Sequence, residues 1–213
     1  GQRKTGAAIR WGMVGGGRGS QIGYIHRAAA TRDRYFDMVA GAFDLDPARG
    51  RAFGTDLGLD PARCYADYRA MFAAESARSD GIRAVSIATP NNTHYEISKA
   101  ALLAGIHVIC EKPLTFTTAE ALDLQRIARD KGLIVGVTYG YSGYQMIEEA
   151  ARLVADGTLG EIRLVNLQFA HGFHNEAVEE ANPAIRWRVD PKFAGPSYVL
   201  GDLATHPFYL SEV

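Results

Sequence analysis

Apolar and polar positions alternate in two textures over the first two thirds of the chain. Short, nearly uninterrupted apolar runs recur at 11–14, 36–43, 84–88, 107–110 and 134–138. Runs of this length, bounded by Gly, Pro or Asp, predict strands buried on both faces. Between them lie helical stretches with boundary signals. Residues 21–30 form the first. Asp46-Pro47 is an N-cap followed by proline at the first helical position, and the helix over 48–57 stops at Gly58. Asp67 caps a helix over 68–77. Thr93-x-x-Glu96 and Thr117-x-x-Glu120 have capping-box spacing and open helices that stop at Gly105 and Gly132. A helix over 145–155 stops at Gly157, and Cys64-Tyr65 reads as a further short strand. Strands alternating with helices at this spacing predict an α/β architecture, a doubly wound parallel sheet over residues 1–156.

The pattern then changes. Residues 161–169 alternate charged or polar with apolar side chains, which predicts a half-exposed strand of an open sheet. Residues 171–197 are irregular and hold Pro183, Pro191 and Pro196, and 198–213 read as a helix. One strand and one helix do not close a domain. Residues 157–213 are therefore expected to begin a second α/β domain that is incomplete in this chain. Internal repeats and low-complexity tracts are absent from the sequence.

Composition adds exclusions. The chain has 213 residues, 47% hydrophobic, with a net charge of −1, so no bulk field draws it to nucleic acid or a membrane surface. No apolar run reaches membrane-spanning length, and no signal peptide is read at the start. Cys64 and Cys110 lack metal-ligand spacing, as do His26, His107, His171 and His174, so no metal site is expected. Two cysteines in apolar surroundings fit a reducing, cytoplasmic compartment.

Candidate chemistry collects where predicted strands end, because ligands of an open parallel sheet bind beyond those ends. The first strand runs into Gly15-Gly16-Gly17-Arg18-Gly19 and then Ser20-Gln21-Ile22, which opens a helix. Glycines permit the tight turn and a close backbone approach, and a helix N-terminus offers free N–H groups, which together suit a diphosphate. Gly15 and Gly17 occupy the first two positions of G-x-G-x-x-G, and Ser20 the third. A glycine-rich turn without a ligand is the alternative. The second strand ends at Asp44, placed to accept the ribose hydroxyls of an adenosine; this favours NAD over NADP, although Arg18 and Arg49 leave NADP open. The spacing is longer than the usual ~20 residues, and Asp44 also reads as a turn residue. The third strand ends in Thr89-Pro90-Asn91-Asn92-Thr93-His94. Thr89, Pro90, Asn92 and His94 are candidates for contact with a ribose or pyrophosphate; Thr93 also reads as a helix cap and His94 as a surface residue. Glu111-Lys112-Pro113 ends the fourth strand. Lys112 there is a candidate for orienting a substrate hydroxyl, against the plain reading of an exposed loop lysine. Asp202 and His206 lie four residues apart, so on an α-helix they share a face, and a carboxylate-oriented histidine suits proton transfer. The plain reading is a capping aspartate and an incidental histidine. Pro207 requires that this helix has barely begun.

The stretches 12–23, 87–94, 108–113, 157–162 and 201–206 resemble the glucose–fructose oxidoreductase / inositol dehydrogenase / rhizopine-catabolism (Gfo/Idh/MocA) family over nearly the whole chain. Its most specific element is Glu111-Lys112-Pro113, in order with the glycine loop and the Asp202…His206 pair. The resemblance implies an N-terminal Rossmann domain and a C-terminal α/β domain often used for dimerisation, hence a homo-oligomer at full length. It implies hydride transfer between NAD(P) and a sugar, cyclitol or related polyol. By position, Lys112 would orient substrate ahead of a proline often joined by a cis bond, His206 would transfer the proton, and Asp202 would be its partner. Glu111 and Lys112 would border the cofactor, and Trp187-Arg188 resembles the segment that reaches back to it. The chain departs from the family pattern at Gly140, where an arginine is common, at Ala204, where glycine is frequent, and in being shorter than most members. A dinucleotide-binding sensor or co-repressor on the same fold is the competing reading. Such a protein has no need of Lys112, Asp202 and His206 together.

Overall fold

The computed structural model describes residues 7–172, 175–181 and 183–213, so His174 lies outside the described residues. Five strands, β1 (Ile9–Gly15), β2 (Phe36–Ala42), β3 (Ala84–Ala88), β4 (His107–Cys110) and β5 (Val135–Val137), form one all-parallel sheet in the order β2-β1-β3-β4-β5. Cys64, expected in a short strand, makes a single parallel bridge to Gly41 on the outer side of β2. With that rudimentary strand counted, the order by chain position becomes 3-2-1-4-5-6, the dinucleotide-binding arrangement.

Side chains in β1 alternate as a strand covered on both faces requires. Trp11 and Met13 pack with Phe43, Phe53 and Leu59, while Val14 packs with Val85, Ile87, Leu102 and Val108 on the other face. Helices α1 (Gln21–Arg32), α2 (Pro47–Asp56), α3 (Tyr68–Ser76), α4 (His94–Leu103) and α5 (Thr118–Lys131) supply the layers. Asp46 and Asp67 cap α2 and α3 as expected. Thr117 and Glu120 close a reciprocal capping box on α5, which ends at Gly132 in the left-handed region. Thr93 departs from expectation. Its hydroxyl turns back to Thr89 Oγ1 and the Pro90 carbonyl, both at 2.7 Å, so a 3₁₀ turn, Asn91–Thr93, and no capping box leads into α4.

Past the sheet come α6 (Gln145–Ala155), α7 (Val178–Ala181), α8 (Pro191–Ala194), a π-helical turn Val199–Ala204, and α9 (Thr205–Glu212). The strand expected over 161–169 does not form; the segment takes no regular secondary structure and is exposed. Its apolar alternation marks a face, but a strand also needs a neighbour for its backbone N–H and C=O groups, and among the described residues none pairs with it. Pro207 is the third residue of α9, which follows directly on the π turn. No helix among the described residues is long and apolar enough to cross a membrane.

Two glycines hold the loop after β1 in place. Gly15 has φ +74°, and a Cβ there would sit 2.6 Å from the Ala88 carbonyl oxygen. Gly23, one turn into α1, lies against Gly16, whose Cα is 2.5 Å from the position a Cβ would take. Close helix–loop packing therefore falls to Gly23, while Ser20, at the third motif position, caps α1 by accepting the Gly23 N–H at 3.1 Å. Alanine at Gly23 would gain about 1 kcal/mol of helix propensity. Displacing backbone typically costs about 1–3 kcal/mol, and here the displaced backbone is the loop itself. Gly23→Ala is expected to lower the unfolding midpoint and weaken dinucleotide binding in a titration calorimeter.

Candidate active site

The strand order reverses between β1 and β3, so their following loops part and open a crevice at the carboxyl edge of the sheet. The glycine loop forms one side. Its Gly16 N–H donates to Ala88 at 3.1 Å and its Gly16 carbonyl accepts from Arg27 at 2.6 Å. Gln21 and Ile22 form the first turn of α1, directly after the Ser20 cap. Arg18 projects outward, pairs with Asp56 of α2 and lies 5.5 Å from the centre of the Phe53 ring. Asp44, just past β2, accepts from Arg49 at 2.9 and 3.2 Å and from the Asp46 N–H at 2.9 Å. The Arg49 guanidinium and that backbone N–H hold its carboxyl below the usual range. Both basic residues that left NADP open thus already face a carboxylate, Arg18 that of Asp56 and Arg49 that of Asp44.

On the opposite side, Asn92 is exposed and Thr89 and Pro90 are half-buried. His94 is not the surface residue expected. It is completely buried, with Nδ1 2.7 Å from the Pro113 carbonyl and Nε2 2.9 Å from the Thr89 carbonyl. Both ring nitrogens are taken, so His94 ties the loop after β3 to the turn after β4 and presents no polar atom to a ligand. Glu111 also departs from expectation. Its carboxylate points inward, 3.0 Å from His26 Nε2 and 2.5 Å from the Thr138 hydroxyl, leaving that oxygen engaged within the fold rather than on a cofactor.

Lys112 follows, joined to Pro113 by a cis peptide bond. Its ammonium donates to Asp202 Oδ1 at 2.5 Å and to the Asp202 carbonyl at 3.0 Å. Arg188 donates to Asp202 Oδ2 at 2.9 Å, with its guanidinium 4.9 Å from the Trp187 ring centre. Burial pushes the Asp202 carboxyl up, but Lys112 and Arg188 bring it below the usual range, so it is ionised at neutral pH. Asp202 therefore joins the loop after β4 to the segment carrying Arg188, rather than orienting His206 as the four-residue spacing implied. The reason is local. Asp202 lies in a π turn, in which the Thr205 N–H reaches back five residues to Leu200, and the wider turn removes the α-helical alignment of Asp202 with His206.

His206 sits among Tyr139, Tyr141 and Phe169, with ring centres at 6.1, 4.7 and 5.8 Å. Its Nδ1 is buried without a hydrogen-bond partner among the described residues. Burial, then the Lys112 charge, lowers its pKa below the ordinary histidine value; Asp202 and Glu111 offset this in part. A neutral imidazole beside an ammonium is a competent proton acceptor for a hydroxyl held by that ammonium. Beside it, a cleft of 570 Å³ is lined by Pro113, Phe116, Tyr139, Leu200, Thr205 and Tyr209, among others.

Residues 9–139 match the oxidoreductase family with an NAD-binding Rossmann fold, and residues 147–213 match the Gfo/Idh/MocA C-terminal domain. The chain belongs to the Gfo/Idh/MocA oxidoreductase family. YfiI, an uncharacterized oxidoreductase of Bacillus subtilis (strain 168), is 55% identical over 215 residues, which span 100% of this chain and 55% of that protein. An inositol dehydrogenase homolog from Azotobacter vinelandii, solved with NAD+, superposes with a TM-score of 0.93 at 65% identity, over 96% of this chain and 53% of that one. The same homolog solved with NADH and myo-inositol gives 0.89 at 62% identity, over 96% and 52%. The chain thus spans about half the length of these relatives.

Sequence reasoning missed His26, set aside for lack of convergent spacing, and Tyr139, whose hydroxyl lies 2.9 Å from Thr205 Oγ1 while its ring stacks on Tyr209 at 4.2 Å. A histidine on the inward face of the helix that follows a glycine loop was the available signal for His26. For Tyr139 the signal was the family's tyrosine–arginine pair, which Gly140 interrupts.

Proposed function

We propose that the full-length protein is an NAD-dependent dehydrogenase that oxidises a ring hydroxyl of a cyclitol, sugar or related polyol. The observation that carries this reading is the assembly of Lys112, Asp202 and His206, from distant parts of the chain, beside the dinucleotide crevice. A sensor would gain nothing from two cations on one buried carboxylate beside a neutral imidazole. The relative solved with NADH and myo-inositol supports the substrate class.

The residues fit a dinucleotide. Gly15, Gly17 and Gly23 lie too close to Ala88, Phe43 and Gly16 for a Cβ, and Gly19 is open, so the loop offers backbone rather than side chains to a diphosphate. Gly15, Gly17, Arg18, Gly19, Ser20, Gln21 and Ile22 would hold the diphosphate, Asp44 the adenosine ribose, and Thr89, Pro90 and Asn92 the far side. Trp187 and Arg188 would close the site from the second half. NAD, when bound, supplies the hydride acceptor. Lys112 donates a hydrogen bond to the substrate oxygen and stabilises the charge that develops on it. His206 accepts the hydroxyl proton. Asp202 keeps Lys112 aimed, and Lys112 and Arg188 together keep Asp202 ionised.

NADH absorbance with a panel of cyclitols and sugars tests the reading. Turnover with at least one is expected, and tight NAD binding without turnover would assign the protein to the sensor class. Cofactor choice has its own test. Asp44→Ser, by removing the anion that repels a 2′-phosphate, is expected to raise the NADP-to-NAD ratio of kcat/KM by on the order of tenfold, about 1.4 kcal/mol.

A further inference from the structure

A continuous line of buried polar side chains runs beneath the site, from β1 to the end of β5. Trp11 Nε1 donates to Ser86 Oγ at 3.0 Å. Ser86 Oγ lies 3.2 Å from His26 Nδ1, and His26 Nε2 lies 3.0 Å from Glu111 Oε1. Thr138 Oγ1 reaches the same carboxylate oxygen at 2.5 Å. None of Trp11, Ser86, His26 and Glu111 is more than 9% exposed.

The partners give this line a direction. An indole N–H only donates, so Ser86 accepts there and its own proton is free for His26 Nδ1. Nδ1 as an acceptor leaves the ring proton on Nε2, which donates to Glu111. The Thr138 hydroxyl donates to the same oxygen. Every bond then points toward the carboxylate, and each polarises the next. Glu111 precedes Lys112 in the chain, and its charge also acts on His206.

We propose that His26 is a positioning residue for the reaction. It holds Glu111 as a fixed buried anion behind Lys112 and His206, and it links the helix of the glycine loop to the loop that carries Lys112. The proposal rests on the dehydrogenase reading. Burial pushes the Glu111 carboxyl up, while His26, Thr138 and the nearby Lys112 bring it below its ordinary range, which agrees with a permanent anion at neutral pH. Among the described residues, the charged and titratable groups that act on or pack against His206 are Lys112 and Glu111 from the end of β4, Asp202 from the π turn, and Tyr139 and Tyr141 from the segment after β5. Of these, Glu111 is the one His26 controls.

The test uses the full-length protein with His26→Leu, His26→Gln and Glu111→Gln. Outer partners of catalytic groups at metal sites typically carry about 10–100-fold in activity, and a loss in that range is expected in kcat for His26→Leu and Glu111→Gln, with KM for the polyol and Kd for NAD within a few-fold. His26→Gln, whose amide places a donor where Nε2 stands, is expected to recover most of the loss. A second readout needs no turnover: the His206 ring proton signal, followed against pH by NMR. Loss of the Glu111 charge removes an attraction for the imidazolium, so the His206 midpoint is expected to fall in Glu111→Gln and in His26→Leu. Wild-type kcat and an unmoved His206 midpoint in folded His26→Leu would reduce His26 to a packing role and overturn the proposal. Should His26→Leu not fold, an unmoved midpoint in Glu111→Gln overturns it equally. Absence of turnover in the wild type, with the midpoint shifts intact, would instead refute the dehydrogenase reading and leave the electrostatic link standing.

Discussion

Lys112→Met in the full-length protein is expected to lower kcat by about 10³-fold, roughly 4 kcal/mol of transition-state stabilisation, with NAD affinity within a few-fold of wild type. The two halves of that expectation have separate physical sources. Of the residues proposed to hold the dinucleotide, the glycine loop, the first turn of α1, Asp44, Thr89, Pro90 and Asn92 make no hydrogen bond or ion pair with Lys112, and Arg188 meets it only through Asp202. Among the described residues the ammonium bonds only to Asp202, so its third donor is available to a substrate oxygen. Methionine matches the length of the side chain but offers neither charge nor donor. It also leaves Asp202 buried with Arg188 as its remaining cation, so some loss of stability accompanies the loss of rate. Lys112→Arg separates the two effects. It keeps a cation for Asp202, and so the stability, but a planar guanidinium does not replace a compact ammonium at a substrate hydroxyl. Steady-state kinetics, thermal melts and NAD titration of the three proteins decide the matter; loss of NAD binding in Lys112→Met would refute the role assigned to the lysine.

The sheet was legible because its signals are local. Trp11, Met13 and Val14 sit in a run too apolar for any exposed strand, and Asp46-Pro47, Asp67 and Thr117-x-x-Glu120 mark helix starts by chemistry confined to four residues. The loop of Gly15 was legible for the same reason. The errors arose where the outcome depends on distant partners. Residues 161–169 have the alternation of a strand, but alternation selects a face only once a neighbouring strand exists. His94 looked like a surface residue because the carbonyls of Thr89 and Pro113 that bury it come together only in the fold. His26 and Glu111 are 85 residues apart, and nothing near either one announces the other. Asp202 and His206 were aligned on the assumption of 3.6 residues per turn, which the π turn at Val199–Ala204 breaks. Their presence at the site was readable, but not which of them holds which.

That last correction changes the pH dependence expected of the proposed dehydrogenase. An aspartate bonded to His206 would raise its pKa and keep the imidazole protonated to higher pH, against a role as base in oxidation. In the structure the Asp202 carboxylate lies between Lys112 and Arg188, and burial and the Lys112 charge lower the His206 pKa instead. A base works in its deprotonated form. The rate of polyol oxidation is therefore expected to be full at neutral pH and to fall as pH drops through the folded His206 pKa, with a midpoint below the ordinary value of 6.5. His206→Asn keeps a polar side chain of similar size without a titrating nitrogen. It is expected to cost about 10²–10⁴-fold in kcat and to abolish that acidic limb. Lys112→Met supplies the cross-check. Removing the second cause of the downward shift is expected to raise the His206 midpoint, read by NMR because turnover is lost. An acidic limb that persists unchanged in His206→Asn would transfer the proton-accepting role to another group. A midpoint that does not move in Lys112→Met would mean that burial alone, and not the neighbouring ammonium, keeps this imidazole neutral.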